Sequence, residues 1–305
     1  MIYINKKIRI AVTIFSLVSC TIYAQEQFDT NTNKKYIDLL ERSLENNPNN
    51  KESKVNVAKE SRVYWNARKL DYNLHPEKYL KAITLYHETQ QKFKQEKEQI
   101  DTIRKKRMDK AVENFQDFDD RNSFPKKSIL FIGSSSIAGW KTALSFPEFP
   151  IINRGIGGMN IPEILYYYDN LVKKYTPSIV AIYCDIDIEQ GKSPEVAVQA
   201  FTELVTKIKK DFPKATVLLL SMKPVMIDDF IGKDIRMNKM LANKQLLNYS
   251  EKEKNVAFID LATPMLKKDG KLRTDIFIED GMHLNTLGYT IWDPIIRKKL
   301  LELNH

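Results

Sequence analysis

Beyond Ser128, short apolar segments alternate with longer amphipathic ones. Five nearly continuous apolar runs, rich in β-branched and aromatic residues, predict strands at Ser128–Gly133, Pro150–Asn153, Ser178–Tyr183, Ala215–Ser221 and Val256–Leu261. The stretches between and after them predict helices at Ile161–Tyr175, Pro194–Asp211, Asp234–Glu253 and Thr286–Leu303. Strands without polar alternation are typical of a parallel sheet that is covered on both faces. Residues 126–305 therefore predict a three-layer α/β/α domain with a five-stranded parallel sheet.

The preceding segment, residues 25–125, has a different pattern. It is polar and rich in lysine, and between Gln25 and Asn122 it contains no glycine. Apolar residues recur every three or four positions from Glu77 to Phe118, which predicts one long helix. The segment is thus an α-helical N-terminal extension. Two roles stay open for it: a layer docked on the α/β domain with its charges solvated, or an arm that shapes a cleft or a dimer seam.

Residues 1–24 have the features of a secretory signal. A short apolar run without acidic residues follows three cations, Lys6, Lys7 and Arg9. The run is too short to span a membrane comfortably, and Ala24 suits signal peptidase cleavage. As an alternative, Leu17–Cys20 resembles a bacterial lipobox, and lipidation at Cys20 is the one membrane link we predict. Either way the protein is exported to the periplasm or beyond.

Composition narrows the classes of function. The 305 residues are 43% hydrophobic and 29% charged, as in ordinary globular proteins. Two cysteines, of which Cys184 alone is certain to survive processing, exclude a disulfide framework and a zinc site built on cysteine pairs. Loss of the three leader cations lowers the net charge from +9 to +6. Because an exported protein does not meet nucleic acid in its compartment, we predict no nucleic-acid partner; the oligomeric state stays open.

Candidate chemistry lies where strands end, because parallel α/β sheets bind ligands at the carboxyl ends of their strands. Ser134–Ser136 follow the first strand and either cap the next helix or supply a nucleophile at its N-terminus. Asn153–Gly158 follow the second strand as a glycine-rich turn whose free amides suit a substrate oxygen. Asn160 stands where a dinucleotide fingerprint needs glycine, and no phosphate loop follows. We predict neither a cofactor nor a metal.

An acid and a histidine lie three positions apart before the last helix. Asp280 can point its carboxylate at the imidazole of His283, which is how an acid orients a histidine base. Of the other histidines, His75 and His87 lie in the extension and His305 is the last residue. His283 is therefore the candidate base of the α/β domain.

These elements, in this order, resemble the sequence blocks of SGNH (GDSL-type) hydrolases, in particular an exported bacterial subgroup. The stretch Ile129–Ile137 resembles the first block, with serine in place of the aspartate of Gly-Asp-Ser. The resemblance implies that Ser135 is the nucleophile and that Asp280 and His283, which match the fifth block, complete a triad. It also implies a flavodoxin-like three-layer fold over about Ser128 to Leu303.

Two further blocks bear on the oxyanion hole. Ile152–Gly158 resembles the second block, which implies that the N–H groups of Ser135 and Gly158 bind the oxyanion. The third block, Gly-x-Asn-Asp, corresponds to Cys184–Asp187, where Ile186 replaces the donor asparagine. Asp187 and Asn160 are candidate substrate-binding residues, Asn160 as a substitute donor. Cys184 is interpreted as buried and inert, with a cysteine nucleophile as the alternative.

The resemblance implies an exported serine esterase that hydrolyses small acyl esters, such as acetyl groups on a carbohydrate or glycan, through an acyl-enzyme. The alternative is a glycan-binding or scaffold protein that kept the fold and lost activity, because Ile186 has no hydrogen-bond donor. An acyltransferase with the same triad is a third possibility, for which the sequence offers no positive feature. The substrate and the role of the extension stay open.

Overall fold

The computed structural model describes residues 31–45, 54–228 and 234–303. The predicted signal, residues 1–24, and both cleavage alternatives lie outside them. The chain divides into two compact units, Met1–Ile100 and Asp101–His305. This division precedes the predicted boundary at residues 125 and 126, because the last part of the extension packs within the second unit. Within the described ranges, no helix combines the length and the apolar character that crossing a bilayer requires.

The first unit is helical. Its helices are α1 (31–44), α2 (Lys54–Leu74) and α3 (Leu80–Gln95), with a 3₁₀ turn at Pro76–Tyr79. The core of this unit is aromatic: the rings of Tyr36 and Tyr64 stack 3.8 Å apart, and Trp65 packs edge-on against both. The helical character of this segment agrees with its sequence pattern.

The prediction of a single long helix from Glu77 to Phe118 is wrong. The chain leaves the helical conformation at Glu96, where ψ is 25°, and a new helix α4 follows at Lys97–Asp119. Glu96 still donates its backbone N–H to the carbonyl of Lys92, so the interruption is a tight turn. Neither glycine nor proline marks this turn in the sequence, and apolar periodicity alone therefore missed it.

The second unit is built on a five-stranded sheet, in which β1 is Ile129–Gly133, β2 Ile151–Gly155, β3 Ile179–Tyr183, β4 Thr216–Leu220 and β5 Val256–Ile259. All pairs are parallel, in the order β2-β1-β3-β4-β5. The predicted strands and the predicted parallel sheet are confirmed. Because the chain order reverses between β1 and β3, the carboxyl ends of these two strands flank the crevice where such sheets bind ligands.

Helices cover both faces of the sheet, and they are α5 (Ser135–Ala138), α6 (Thr142–Ser145), α7 (Ile161–Tyr166), α8 (Tyr168–Leu171), α9 (Ile186–Glu189), α10 (Pro194–Asp211), α11 (Ile235–Ser250) and α12 (Thr286–Leu303). Along β1, Leu130 and Ile132 belong to one buried cluster, and Ile129 and Phe131 to another. Two cores on opposite faces confirm the three-layer prediction. The predicted helix Ile161–Tyr175 is broken into α7, α8 and a 3₁₀ turn.

The second half of α4 explains the position of the unit boundary. Met108 and Val112 of this helix are buried in the same cluster as residues of β1 and α7. At the end of the helix, the buried carboxylate of Asp119 pairs with the guanidinium of Arg154 on β2 and accepts the hydroxyl of Tyr175. These contacts make residues 101–119 a structural part of the α/β unit, although their sequence pattern continues that of the helical extension.

Candidate active site

The turn after β1 fixes the position of Ser135. Gly133 has φ +145°, and a Cβ atom there would lie 1.8 Å from the carbonyl oxygen of Tyr183, so only glycine fits. The chain therefore turns sharply into α5, whose first residue is Ser135. Ser134, the N-cap residue, makes no side-chain cap hydrogen bond and lies 3.4 Å from Asp185, while Ser136 is buried. Ser135 is the serine of this turn that faces His283.

A chain of hydrogen bonds joins Ser135, His283 and Asp280. The Oγ of Ser135 lies 3.0 Å from Nε2 of His283, and Nδ1 of His283 lies 2.6 Å from Oδ2 of Asp280. The other oxygen of Asp280 accepts the backbone N–H groups of Met282 and His283. The structure thus brings together, across 148 positions of sequence, the three side chains that the sequence predicted as a triad.

Asp280 is held as a carboxylate. Its burial raises the pKa, but the hydrogen bonds from the His283 ring and from the amides of His283 and Met282 outweigh burial and bring the pKa to about 2. At neutral pH the negative charge therefore persists next to the imidazole. A fixed carboxylate on Nδ1 leaves Nε2 as the nitrogen that takes a proton from a neighbouring hydroxyl.

Helix α12 holds the serine turn and begins just after His283. The hydroxyl of Tyr289 donates to the carbonyl of Ser136, and its ring stacks on Trp140. The indole N–H of Trp140 donates to Asp293, one turn further along the helix. Because the His283 loop runs directly into α12, these contacts link this loop to the serine turn.

A glycine turn lies beside Ser135. Gly157 and Gly158 are the central residues of a turn that the N–H of Met159 closes on the carbonyl of Ile156, and Gly158 has φ +75°. A Cβ atom on Gly157 would come within 4.0 Å of Cβ of Ser135. Within the described part of the chain, neither the N–H of Ser135 nor that of Gly158 donates a hydrogen bond. Free amides beside a serine hydroxyl are suited to bind an oxyanion.

The loop after β3 contains Ile186, the residue at which the sequence departs from the third block that it otherwise resembles. Ile186 is the first residue of α9 and packs, partly buried, against the core. Cys184 is fully buried, and burial together with the charges of Asp187 and Asp185 raises the pKa of its thiol well above the ordinary value. A thiol held in its neutral form is a poor nucleophile, so the environment of Cys184 fits the inert interpretation.

The two candidate substrate-binding residues have internal partners. Asp187 is 1% exposed, and its oxygens accept the N–H of Ile161 and the ammonium of Lys192, so its carboxylate is not open to a substrate. Asn160 caps α7 in a reciprocal capping box with Glu163. Its side-chain nitrogen lies 3.4 Å from Gln190. Asn160, predicted as a substitute oxyanion donor from its proximity to Gly158, caps a helix in the structure.

A buried group of charges beneath the site was not anticipated. Lys223, which follows β4, and Lys239 on α11 are 1% and 2% exposed, and both lie within ion-pair distance of the buried Asp185. Burial raises the pKa of Asp185, but the two ammonium groups and the hydroxyl of Tyr183 lower it by more, so the pKa lies below its ordinary value. The network ties the ends of β3 and β4 to α11. Nothing in the sequence distinguishes Lys239 from a solvated lysine.

Two arginines of α4 were also missed. Arg104 donates to the carbonyl of Gly158 at 2.6 Å, and Arg107 donates to the carbonyl of Gly157 at 2.9 Å. They lie in a Lys- and Arg-rich stretch that resembles a solvated helix face.

Among the described residues, no group of three or more His, Cys, Asp or Glu side chains is arranged to hold a metal ion.

The model of the GDSL-like lipase/acylhydrolase family matches residues 131–291, more than half of the chain and the part that carries the serine turn, the glycine turn and the histidine loop. No curated protein matches the sequence. The family match therefore rests on the segment that contains the candidate site.

Three solved structures share the fold at low identity. A Streptococcus pneumonia protein provisionally described as a platelet activating factor is 19% identical, with 67% of this chain and 97% of that chain covered and a TM-score of 0.59. A GDSL-like lipase from Bacteroides thetaiotaomicron is 20% identical, with 63% and 98% covered and a TM-score of 0.56. A Bacteroides fragilis protein provisionally described as an acylhydrolase is 22% identical, with 60% and 92% covered and a TM-score of 0.54.

Proposed function

Because the chain belongs to the GDSL-like lipase/acylhydrolase family and is therefore a hydrolase acting on ester bonds, we propose that it cleaves small acyl esters through an acyl-enzyme on Ser135. One observation carries the proposal: the unbroken hydrogen-bonded chain from Asp280 through His283 to Ser135. A hydroxyl, an imidazole and a carboxylate in this order form the arrangement that activates serine for acyl transfer.

The reaction proceeds in two halves. In the first, Nε2 of His283 takes the hydroxyl proton of Ser135 while Oγ forms a bond to the ester carbonyl carbon. The tetrahedral intermediate then expels the alkoxide, which leaves with the proton from His283, and the acyl group stays on Oγ. In the second half, a water molecule gives its proton to His283 and attacks the acyl carbon, and Ser135 regains its proton as the acid departs.

Two backbone amides stabilise the intermediate. The N–H groups of Ser135 and Gly158 are free of other partners in the described structure and flank the nucleophile, so we assign them to the oxyanion. The family's third donor is absent because Ile186 occupies its place. Asp280 stays ionised throughout and stabilises the imidazolium that forms in each half.

The substrate and location belong to the same proposal. We propose export to the periplasm or the extracellular space, on the basis of the cationic and apolar pattern of residues 1–24, with anchoring at Cys20 as the alternative to cleavage at Ala24. The substrate class is an ester of a small acyl group, such as acetyl, on a carbohydrate or glycan. The resemblance to exported bacterial members supports this class.

Labelling of the purified protein with a fluorophosphonate tests the proposal without knowledge of the substrate. The Oγ of an activated serine bonds to the phosphorus, fluoride leaves, and the serine keeps the phosphonyl label. We therefore expect one adduct per chain, on Ser135, when peptides are analysed by mass spectrometry. Ser134 and Ser136 lie in the same peptide and serve as internal controls. A label on either of them, or no label at all, contradicts the proposal.

A second candidate function is a fold that binds glycans without turnover, and Ile186 favours it, because loss of one oxyanion donor costs about 10²- to 10³-fold in turnover. The variant Ile186→Asn separates the two. We expect the wild type to hydrolyse p-nitrophenyl acetate in a Ser135-dependent manner and Ile186→Asn to raise kcat by about tenfold, less than the full value because the surrounding site is not shaped for the amide.

The control for this comparison is Ile186→Leu, which preserves the volume and supplies no donor. It should leave kcat close to the wild-type value. If the wild type shows no turnover above that of Ser135→Ala, while Ile186→Asn acquires it, the binding function replaces the esterase proposal.

A further inference from the structure

Helix α4 brings a cation to the glycine turn. Arg104, Met108 and Val112 recur at helical spacing, and the two apolar side chains are buried in the core of the second unit. Asp119, two turns further along, pairs with Arg154 inside the protein. The helix is therefore fixed in both rotation and position. Arg107 lies one turn from Arg104 on this fixed helix and close to the same turn.

The two arginines have different surroundings. Arg104 makes a bidentate pair with Glu163 in addition to its bond to the carbonyl of Gly158, so its charge is compensated locally. Arg107 is exposed, and within the described residues no carboxylate lies at ion-pair distance from it. Its Nη1 donates to the carbonyl of Gly157, and its Nη2 would lie 3.2 Å from a Cβ atom on Gly158. Its guanidinium thus covers the outer side of the turn.

The direction of the peptide group connects Arg107 with the nucleophile. The peptide that joins Gly157 and Gly158 is trans, so its C=O and N–H point in opposite directions. Arg107 holds the carbonyl end. The N–H of Gly158 therefore points away from the helix, and this is the amide assigned above to the oxyanion.

We propose that Arg107 is a positioning residue of the oxyanion hole, which fixes and polarises the Gly157–Gly158 peptide so that its N–H donates more strongly to the tetrahedral intermediate. The proposal rests on the proposed esterase function. It also offers a compensation for Ile186, since a cation behind one donor strengthens that donor when another is missing. A sequence scan overlooks Arg107 because it lies outside the residues 131–291 that match the family.

The loss of kcat expected on removal of the Arg107 side chain follows from the strengths of the hydrogen bonds involved. Hydrogen bonds to an ionised group are roughly twice as strong as neutral ones, and bonds in series polarise one another. Complete removal of an oxyanion donor costs about 10²- to 10³-fold in kcat. Loss of the cation behind a donor leaves the N–H in place but weaker and less constrained. We therefore expect a smaller loss, of about tenfold.

The test compares Arg107→Ala with Lys106→Ala, an exposed neighbour on the same helix. With p-nitrophenyl acetate, Arg107→Ala should lower kcat about tenfold and leave KM within about twofold, because the contact acts in the transition state. Lys106→Ala should match the wild type. Arg107→Lys, which keeps the charge, should recover much of the loss. Since Arg107 is exposed, the thermal midpoint should not change; if it falls for Arg107→Ala, Arg107→Lys provides the folded comparison.

A double-mutant cycle with Ile186→Asn supplies the readout that a merely structural role would not move. If the new amide shares the oxyanion, the loss caused by Arg107→Ala should shrink from about tenfold to about threefold or less. An equal loss in both backgrounds, or wild-type kcat in Arg107→Ala, overturns the positioning role. Failure of the esterase function is a separate result, since then the wild type itself would show no Ser135-dependent turnover.

Discussion

Replacement of Ser135 by alanine is expected to lower kcat for p-nitrophenyl acetate by about 10⁵- to 10⁶-fold. The variant keeps the oxyanion amides and the ability to bind substrate, but it has no oxygen at the position 3.0 Å from Nε2 of His283. His283→Ala should cost about as much, because an unactivated serine hydroxyl is a poor nucleophile. Initial rates of the purified variants, measured against the uncatalysed reaction, check both values.

The double variant Ser135→Ala/His283→Ala gives the more selective measurement. Residues that act as one unit are strongly non-additive, so the double variant should be no slower than either single one. His87→Ala, which alters a histidine of the helical extension, should retain wild-type kcat. Retention of more than about a tenth of the activity by Ser135→Ala would contradict the assignment, and Cys184→Ala would then show whether the thiol had been the nucleophile.

The strands and the serine, glycine and histidine motifs were readable from sequence because each depends on local chemistry. A run such as Ile129–Gly133 is apolar at every position, which is typical of a strand covered on both faces. The glycine at position 133 and the Asp280–His283 pair are short-range features: one is imposed by the close approach of a carbonyl, the other by a hydrogen bond within one loop. That these motifs meet at one site was predicted from the resemblance to the sequence blocks of the family.

The features that escaped prediction depend on tertiary contacts. Lys239 and Arg107 belong to the same residue classes as the exposed cations of the described helices, yet one is buried in an ion network and the other lies against a glycine turn. The turn at Glu96 has no glycine or proline to signal it. Residues 101–119 continue the helical pattern before them, and only their packing shows that they belong to the α/β unit.

Asp280→Asn is expected to lower kcat by about 10³- to 10⁴-fold while leaving the serine in place. An asparagine at this position has the same shape but no charge. Its amide oxygen takes the two backbone N–H groups that Oδ1 of Asp280 accepts, so the amide nitrogen, which cannot accept a hydrogen bond, faces Nδ1 of His283. The imidazole then tends toward the tautomer with Nε2–H, which cannot take the proton of Ser135. Steady-state kinetics at pH 7, together with a fluorophosphonate labelling rate that falls in parallel, check this expectation.

The same substitution should also change how the free energy of unfolding depends on pH. Asp280 has a pKa of about 2 in the folded protein, below the ordinary 3.8, so its contribution is fully present above about pH 4 and is lost as the pH falls through about 2. The shift corresponds to about 2 kcal/mol of unfolding free energy. Urea unfolding of wild type and Asp280→Asn at intervals from pH 6 to pH 2 should therefore give curves that converge toward the acid end.

The wild-type minus variant difference isolates Asp280, since the other buried acids, such as Asp185, titrate equally in both proteins. Asp280→Glu is the matched control: it keeps the charge but displaces the carboxylate, so it should retain the pH dependence while losing part of kcat. The difference in unfolding free energy between wild type and Asp280→Asn could instead be constant from pH 6 to pH 2. That result would mean that His283 and the two amides do not stabilise the ionised form of the carboxylate. The orienting role of Asp280 in the proposed mechanism would then lose its electrostatic basis.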